Sequence, residues 1–207
     1  VRSRGLGDVY KRQMQAATYL IRDDASTFHT YYMDVATGAP RYGNTQQGYA
    51  DDSCWSRGQA WGIYGFLLSY IYTGDETMIA LSKRLANYFL NRLPEDYVCH
   101  WDLALVGTDA LRDSSSAAIA VCGLLELVKH LPVTDPDRER YLEWATGIMS
   151  SLTKHYLMGK EEKGNGLLKH SVYHLASNKG VDECASWGDY FYVEALVRFT
   201  QSWKLYW

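Results

Sequence analysis

The sequence predicts an all-α chain built from helical hairpins set in a ring, and three observations carry that reading. Helical periodicity dominates from residue 54 onward, and no alternating run long enough for a useful strand occurs. Two segments share one layout, an acid and serines, a small-residue first half, then G-F-L-L-S-Y at 65 to 70 or G-L-L-E-L-V at 123 to 128; a looser third copy is S-W-G-D-Y-F-Y-V-E-A-L-V at 186 to 197. Gly65 and Gly123 are 58 positions apart (123 less 65), and a period near 60 built from helix pairs reads as inner and outer helices.

The first helix is expected from about Cys54 to Tyr72, opened by Asp51, Asp52 and Ser53 as an N-cap group. T-G-D-E at 73 to 76 ends it and starts a second, about Glu76 to Leu93, stopped by Pro94. A third follows R-D-S-S-S (112 to 116) and reaches about His130, and L-P-V-T-D-P-D leads to a fourth, about Arg138 to Leu157. A last helix follows D-E-C-A-S (182 to 186).

Glycine within a helix costs about 1 kcal/mol relative to alanine, so Gly58, Gly62 and Gly65 in the first helix need a compensating reason. With Trp55 and Ser69 they form one stripe at i, i+3, i+4 spacing. The expectation is that a neighbouring inner helix approaches closely along it. On another face Arg57 and Trp61 lie one turn apart, near the end that a hairpin ring opens into a cavity.

A net charge of -3 with scattered basic residues argues against a nucleic-acid or anionic-membrane surface. No apolar run approaches the roughly 20 residues needed to span a bilayer, so a soluble protein is expected. Cys54, Cys99, Cys122 and Cys184 are widely separated, fit no zinc spacing and read as reduced, half-buried thiols. The 17 Tyr and 7 Trp exceed what a core of this size calls for and suit a carbohydrate cleft, although most serve as core.

Residues 1 to 13, VRSRGLGDVYKRQ, break the pattern, and DVYKRQ resembles the translation of a transposase-adapter sequence used in library preparation. On that reading they are an adapter-derived artefact, the authentic sequence starts near Met14, and 14 to 207 are expected to form the C-terminal part of a single domain. Localisation then stays open between the cytoplasm and the periplasm of a bacterium.

Arg57 is a planar bidentate donor that suits a carboxylate. It either clamps a uronate beside Trp61 or pairs with Asp51 or Asp52 to tie down the helix start. Asp113 reads first as an N-cap and second as a polar rim. Asp182, Glu183 and Asp189 read as acids at a helix start. His29 in S-T-F-H-T-Y-Y and Gln47 in N-T-Q-Q-G-Y lie in the loop-rich region before the first helix, where site residues often sit.

Four blocks in order, DDASTFH (23 to 29), QGYADDSCWSRGQAWGIYGF (47 to 66), RDSSSAAIAVCGLLEL (112 to 127), and WGDYFYVEALVR with the terminal WKLYW, resemble the unsaturated glucuronyl hydrolases of glycoside hydrolase family 88. The resemblance implies about half of an (α/α)6 barrel, of the six-hairpin glycosidase type. It implies removal of a terminal Δ4,5-unsaturated uronic acid from lyase-generated oligosaccharides, with no metal or other cofactor. In that chemistry an aspartic acid protonates the C4=C5 vinyl ether, water adds at C5, and the hemiketal rearranges with loss of the aglycone.

By the same resemblance His29, Gln47, Trp55, Arg57 and Trp61 bind substrate, Arg57 and Gln47 near the carboxylate. A histidine is usual where this chain has Gln46. The family's H-D-x-G-F and I-D-x-M-M-N motifs, which hold its essential aspartates, occur nowhere in the sequence. No catalytic residue is therefore assigned, and the chain alone is expected to be inactive and poorly soluble. The rhamnogalacturonyl relatives would show G-N-G-W where this chain has W-S-R-G-Q-A-W, and the hairpin-ring epimerases would need histidines on inner helices. A non-catalytic glycan-binding half-barrel describes the chain if the rest never joins it.

Overall fold

A computed structural model describes residues 6 to 202, except the side chains of 6, 8 and 9. Six α-helices and two short hairpins follow in the order α1 (Leu6–Tyr19), β1 (Thr30–Met33), β2 (Pro40–Asn44), α2 (Ser56–Thr73), α3 (Glu76–Leu90), α4 (Ser114–His130), α5 (Asp137–Ser151), β3 (Ser171–His174), β4 (Lys179–Glu183) and α6 (Ser186–Thr200). The last five residues, including the WKLYW block, lie outside the described residues. Helix α1 runs through Met14 without a break, across the expected boundary of the adapter segment.

The five expected helices are all present, and their arrangement is the expected one. Helix α4 is the centre, packed against α2 on one side and α6 on the other, while α3 backs α2 and α5 backs α4. Thus α2, α4 and α6 form an inner row and α3 and α5 an outer one. Burial follows that order: in α4 every residue from Ser114 to Leu124 is buried. Its core partners include Ile63 and Leu67 of α2, Phe89 of α3, Tyr141 and Ile148 of α5 and Phe191 of α6.

The turn between α2 and α3 follows from its residues. Gly74 takes φ +71, where glycine carries no Cβ penalty, and returns its N–H to Tyr70 O at 2.7 Å. Asp75 then caps α3 by accepting from Thr77 N at 2.9 Å. At the other outer helix, Lys83 of α3 bridges Asp135 (2.7 Å) and Asp137 (3.1 Å) at the start of α5. Helix α5 continues as one π turn from Leu152 to Tyr156, close to the expected end at Leu157.

Four expectations need correcting. The first is the absence of strands, since two antiparallel hairpins form; each strand is only four or five residues long and lacks a clean buried-exposed alternation, so periodicity could not show them. The second concerns caps. Asp51, Asp52 and Ser53 do not cap α2, whose N-cap is Trp55 with no side-chain bond. Asp182 and Glu183 belong to β4 instead of a helix start, whereas Asp189 does lie in the first turn of α6. Third, Cys54, Cys99 and Cys122 are fully buried instead of half-buried; all four cysteines are free thiols.

The fourth correction is the glycine stripe. A Cβ at Gly58 would meet Trp55, one at Gly62 would meet Leu85 of α3, and one at Gly65 would meet nothing within 4 Å. No inner helix approaches there. The close inner-helix contacts are made by Gly123, where a Cβ would lie 2.8 Å from Ile63 Cγ2 and 3.2 Å from Tyr64 N, and by Gly188, 3.1 Å from Ser115 Cβ. Helices α4 and α6 thus each carry a contact glycine on the side facing the preceding inner helix.

Candidate functional site

The N-terminal ends of α2, α4 and α6 converge, and the loops that precede them build a site there. Its foundation is Asp113. As N-cap of α4 it accepts from Ser115 N at 3.1 Å and Ser116 N at 3.4 Å, and its other oxygen accepts from Ser116 Oγ at 2.7 Å and Arg57 Nη1 at 3.0 Å. The cap reading of Asp113 holds.

Arg57 pairs with Asp113 and not with Asp51 or Asp52, and both partners are buried, with side-chain exposures of 4% and 0%. Its Nη1 also reaches Val172 O at 2.9 Å, and its Nη2 reaches Tyr173 O at 3.1 Å. The guanidinium lies 4.6 Å from the Trp55 ring and 5.2 Å from the Trp187 ring. Burial pulls its pKa down and the Asp113 carboxylate opposes the pull, which leaves an arginine charged in any case. Of the two sequence readings of Arg57, the tie to Asp51 or Asp52 is replaced by a grip on the α4 cap and the backbone of β3.

Gln47 acts on the same strand, donating from Nε2 to Tyr173 O at 2.7 Å. One carbonyl oxygen thus takes hydrogen bonds from both Arg57 and Gln47, and the β3–β4 hairpin is fixed over the inner-helix ends. Ser114 Oγ to Ser171 Oγ at 3.0 Å adds a further tie.

His29, Trp55 and Trp61 come together in a cleft of about 370 Å³, whose walls include Thr27, Phe28, Gly58, Gly62 and Gly65. The glycine stripe therefore opens space here instead of closing it. His29 packs on Trp55 at a tilt of 41° with centroids 4.4 Å apart, and Trp61 stands edge-on to Phe191 at 5.1 Å. His29 Nδ1 accepts from Gln46 N at 2.9 Å and from Gln47 N at 3.1 Å, which needs an unprotonated Nδ1. Desolvation first, then the Arg57 charge and His174, hold its pKa below the ordinary value. The five residues thus fall into two groups, three lining the cleft and two holding the hairpin beside it.

Three contributors escaped the sequence reading. Asp102 is fully buried and accepts from Tyr49 N, Ser53 Oγ, Cys54 N and Ala104 N at 2.6 to 3.2 Å, fixing the loop that carries Gln47 and Trp55. Tyr173 is exposed, and Trp187 packs against it at 5.6 Å. A lone Asp in W-D-L-A-L carries no local signal; S-V-Y-H at 171 to 174 is too short to register as a strand.

A larger cavity of about 660 Å³ lies apart from this cleft, lined by Asp96, Arg112, His155, His170 and Asp182 among others. Most of its charged groups are spent on one another, Arg112 with Asp96 at 3.0 Å and His170 with Asp182 at 2.6 Å. The smaller cleft is the better candidate because aromatic rings, an imidazole and open backbone converge there. Its lining contains no Asp or Glu. Among the described residues no three His, Cys, Asp or Glu side chains are grouped to hold a metal, and no helix is long and apolar enough to cross a membrane.

No protein-family model matches the chain. It is 52% identical over 193 residues to the unsaturated chondroitin disaccharide hydrolase of Streptococcus pneumoniae, an alignment that covers 93% of this chain and 49% of that protein. Over nearly its whole length the chain is similar to the unsaturated glucuronyl hydrolases. A second relative, the unsaturated glucuronyl hydrolase of Bacillus sp. strain GL1, is 38% identical over 195 residues, covering 94% of this chain and 52% of that protein. Among solved structures, a mutant unsaturated glucuronyl hydrolase from Streptococcus agalactiae complexed with dGlcA-GalNAc6S is 49% identical with a TM-score of 0.85, over 97% of this chain and 55% of that one. A UGL variant with dGlcA-Glc-Rha-Glc superposes with a TM-score of 0.91 at 37% identity, over 95% of this chain and 52% of that one. The chain spans about half the length of the curated relatives it matches.

Proposed function

We propose that this chain forms the substrate-binding wall of an unsaturated glucuronyl hydrolase, an enzyme that removes the terminal Δ4,5-unsaturated uronic acid from lyase-generated oligosaccharides. The observation that carries the reading is a cleft walled by His29, Trp55 and Trp61 that holds no carboxyl group, in a chain half the length of its hydrolase relatives. Vinyl-ether hydration needs a carboxylic acid to protonate C4 and a base to activate the water that adds at C5. Asp113 and Asp102 are buried and spent on internal hydrogen bonds, so the acid comes from the part of the protein this chain does not span.

Within that scheme the chain's residues bind and orient. Trp61, which is exposed, offers an apolar face for a sugar ring, and the buried Trp55 backs His29 behind it. His29, neutral with Nδ1 occupied, has Nε2–H as its remaining donor for a sugar or carboxylate oxygen. Arg57 contributes positive potential close to the cleft, and with Gln47 it holds the hairpin beside it. The sugar class follows from identity. Curated relatives named for the unsaturated chondroitin disaccharide lie at 50 to 52%, and the solved hydrolase complexed with dGlcA-GalNAc6S at 49%, whereas the curated relatives named glucuronyl hydrolase lie at 35 to 38%, which favours a chondroitin-derived substrate.

Isothermal titration of the purified chain with unsaturated chondroitin disaccharide and its saturated counterpart tests the reading. Preferential binding of the unsaturated sugar, with no loss of its ultraviolet absorbance, is expected. Equal affinity for the two, or release of the uronate by the chain alone, refutes it.

A further inference from the structure

The β1–β2 hairpin has two faces with different fates. On the inner face Tyr31 and Gly43 are register partners; Tyr31 packs on Tyr19 at 5.4 Å and Phe28 at 5.8 Å, and a Cβ at Gly43 would lie within 2.3 Å of the Phe28 ring. That close approach needs glycine and anchors the hairpin to the body. The outer face carries the cross-strand pair Tyr32 and Tyr42, centroids 5.1 Å apart, at 38% and 51% exposure. A stacked pair of this kind adds to hairpin stability. With the inner face already anchored, two large rings on the solvent side remain to be explained.

Their position supplies the explanation. Gln46 Nε2 donates to Tyr32 Oη at 3.4 Å, and Gln46 N donates to His29 Nδ1 at 2.9 Å. The tyrosine pair is thereby joined through one residue to the wall of the cleft, and Gln47 carries the connection on to Tyr173 O. An aromatic and amide surface continuous with a sugar cleft is chemically suited to further sugar rings, since each offers an apolar face and hydroxyls.

We propose that Tyr32, Tyr42 and Gln46 form a carbohydrate platform that takes a pyranose ring two positions beyond the unsaturated uronate, so that the protein grips oligosaccharides longer than a disaccharide. The inference rests on the function proposed above for the cleft. Tyr32 and Tyr42 supply the stacking surface, and the Gln46 amide supplies a donor and an acceptor to the ring hydroxyls.

Calorimetric titration of the 207-residue chain with unsaturated chondroitin disaccharide and tetrasaccharide, in wild type, Tyr42→Ala and Tyr42→Phe, tests it. The tetrasaccharide is expected to bind about fivefold more tightly; Tyr42→Ala should erase that gain without moving the disaccharide Kd, and Tyr42→Phe should keep it. Equal affinity for both lengths, with the disaccharide still bound, overturns the platform alone. Absence of binding by either sugar overturns the reading of the cleft and the platform with it. Saturation-transfer NMR on the unsubstituted chain needs no variant: strong transfer to the third ring supports the platform, and transfer confined to the first two rings overturns it.

Discussion

Arg57 and Asp113 form a buried ion pair, Nη1 to Oδ2 at 3.0 Å, that joins the first turns of two inner helices. Removing one member of such a pair strands the other, at a typical cost of about 3 to 5 kcal/mol. Arg57→Ala is therefore expected to lower the urea midpoint strongly. Arg57→Lys should recover only a minor part of the loss, because an ammonium cannot reach Asp113, Val172 O and Tyr173 O in the fixed fork of a guanidinium. Full recovery by lysine would show that charge alone matters at this position.

Two glycines at equivalent places in the repeat should respond with opposite signs. At Gly65 a Cβ meets open space, so Gly65→Ala should stabilise the chain by about 1 kcal/mol through helix propensity. At Gly123 the same methyl group runs into Ile63 and the Tyr64 backbone, and overpacking of about 1 to 3 kcal/mol outweighs that gain. Chemical denaturation of the two variants side by side decides the matter. A shift of the same sign in both contradicts the packing described for the inner row.

His29 gives the fold a pH dependence. Its folded-state pKa lies below the ordinary 6.5, so between those two values the unfolded chain binds a proton that the folded chain does not. Stability from this group is full above the ordinary value and is lost as pH falls toward the depressed one. His29→Asn places an acceptor oxygen near Nδ1 without a titrating group. Over the range from about pH 7 to about pH 5 the wild-type unfolding free energy should fall more steeply than that of His29→Asn. Parallel pH curves would rule out a role for this histidine.

Asp102 holds the loop before α2 by accepting four hydrogen bonds. In Asp102→Asn one oxygen becomes an amide donor that must face backbone N–H groups, so a loss of about 1 to 3 kcal/mol is expected. Sugar affinity should drop as well, since the loop positions Gln47 and Trp55. A variant with normal stability and normal binding would remove Asp102 from the scaffold of the site.

The outward side of α6 exposes Val193, Leu196 and Phe199 at 44%, 39% and 39%. Contiguous apolar surface of this kind drives association. Sedimentation velocity should therefore find concentration-dependent self-association, weakened by Val193→Glu. A strictly monomeric chain at high concentration would argue that this side needs no cover.

The inner and outer helices were legible because each exceeds three turns and carries its own periodicity, with Gly74 and Asp113 as explicit stop and start signals. The hairpins were not, since Thr30–Met33 and Ser171–His174 are four residues long and owe their pairing to partners several positions away. His29, Trp55 and Trp61 were legible as cleft residues through family motifs. The partners of Arg57 were not, because Asp113 is 56 positions distant and Tyr173 is 116. A long-range pair leaves no trace in local spacing, and the glycine stripe misled for the same reason: spacing shows a smooth face without showing what stands opposite.

The grip of Arg57 and Gln47 on Tyr173 falls on its carbonyl oxygen, a group common to all twenty amino acids. The latch is blind to the ring above it. Position 173 is thus a place where the side chain can be exchanged while the strand beneath stays fastened, so the hairpin can change its outward chemistry within an unchanged frame.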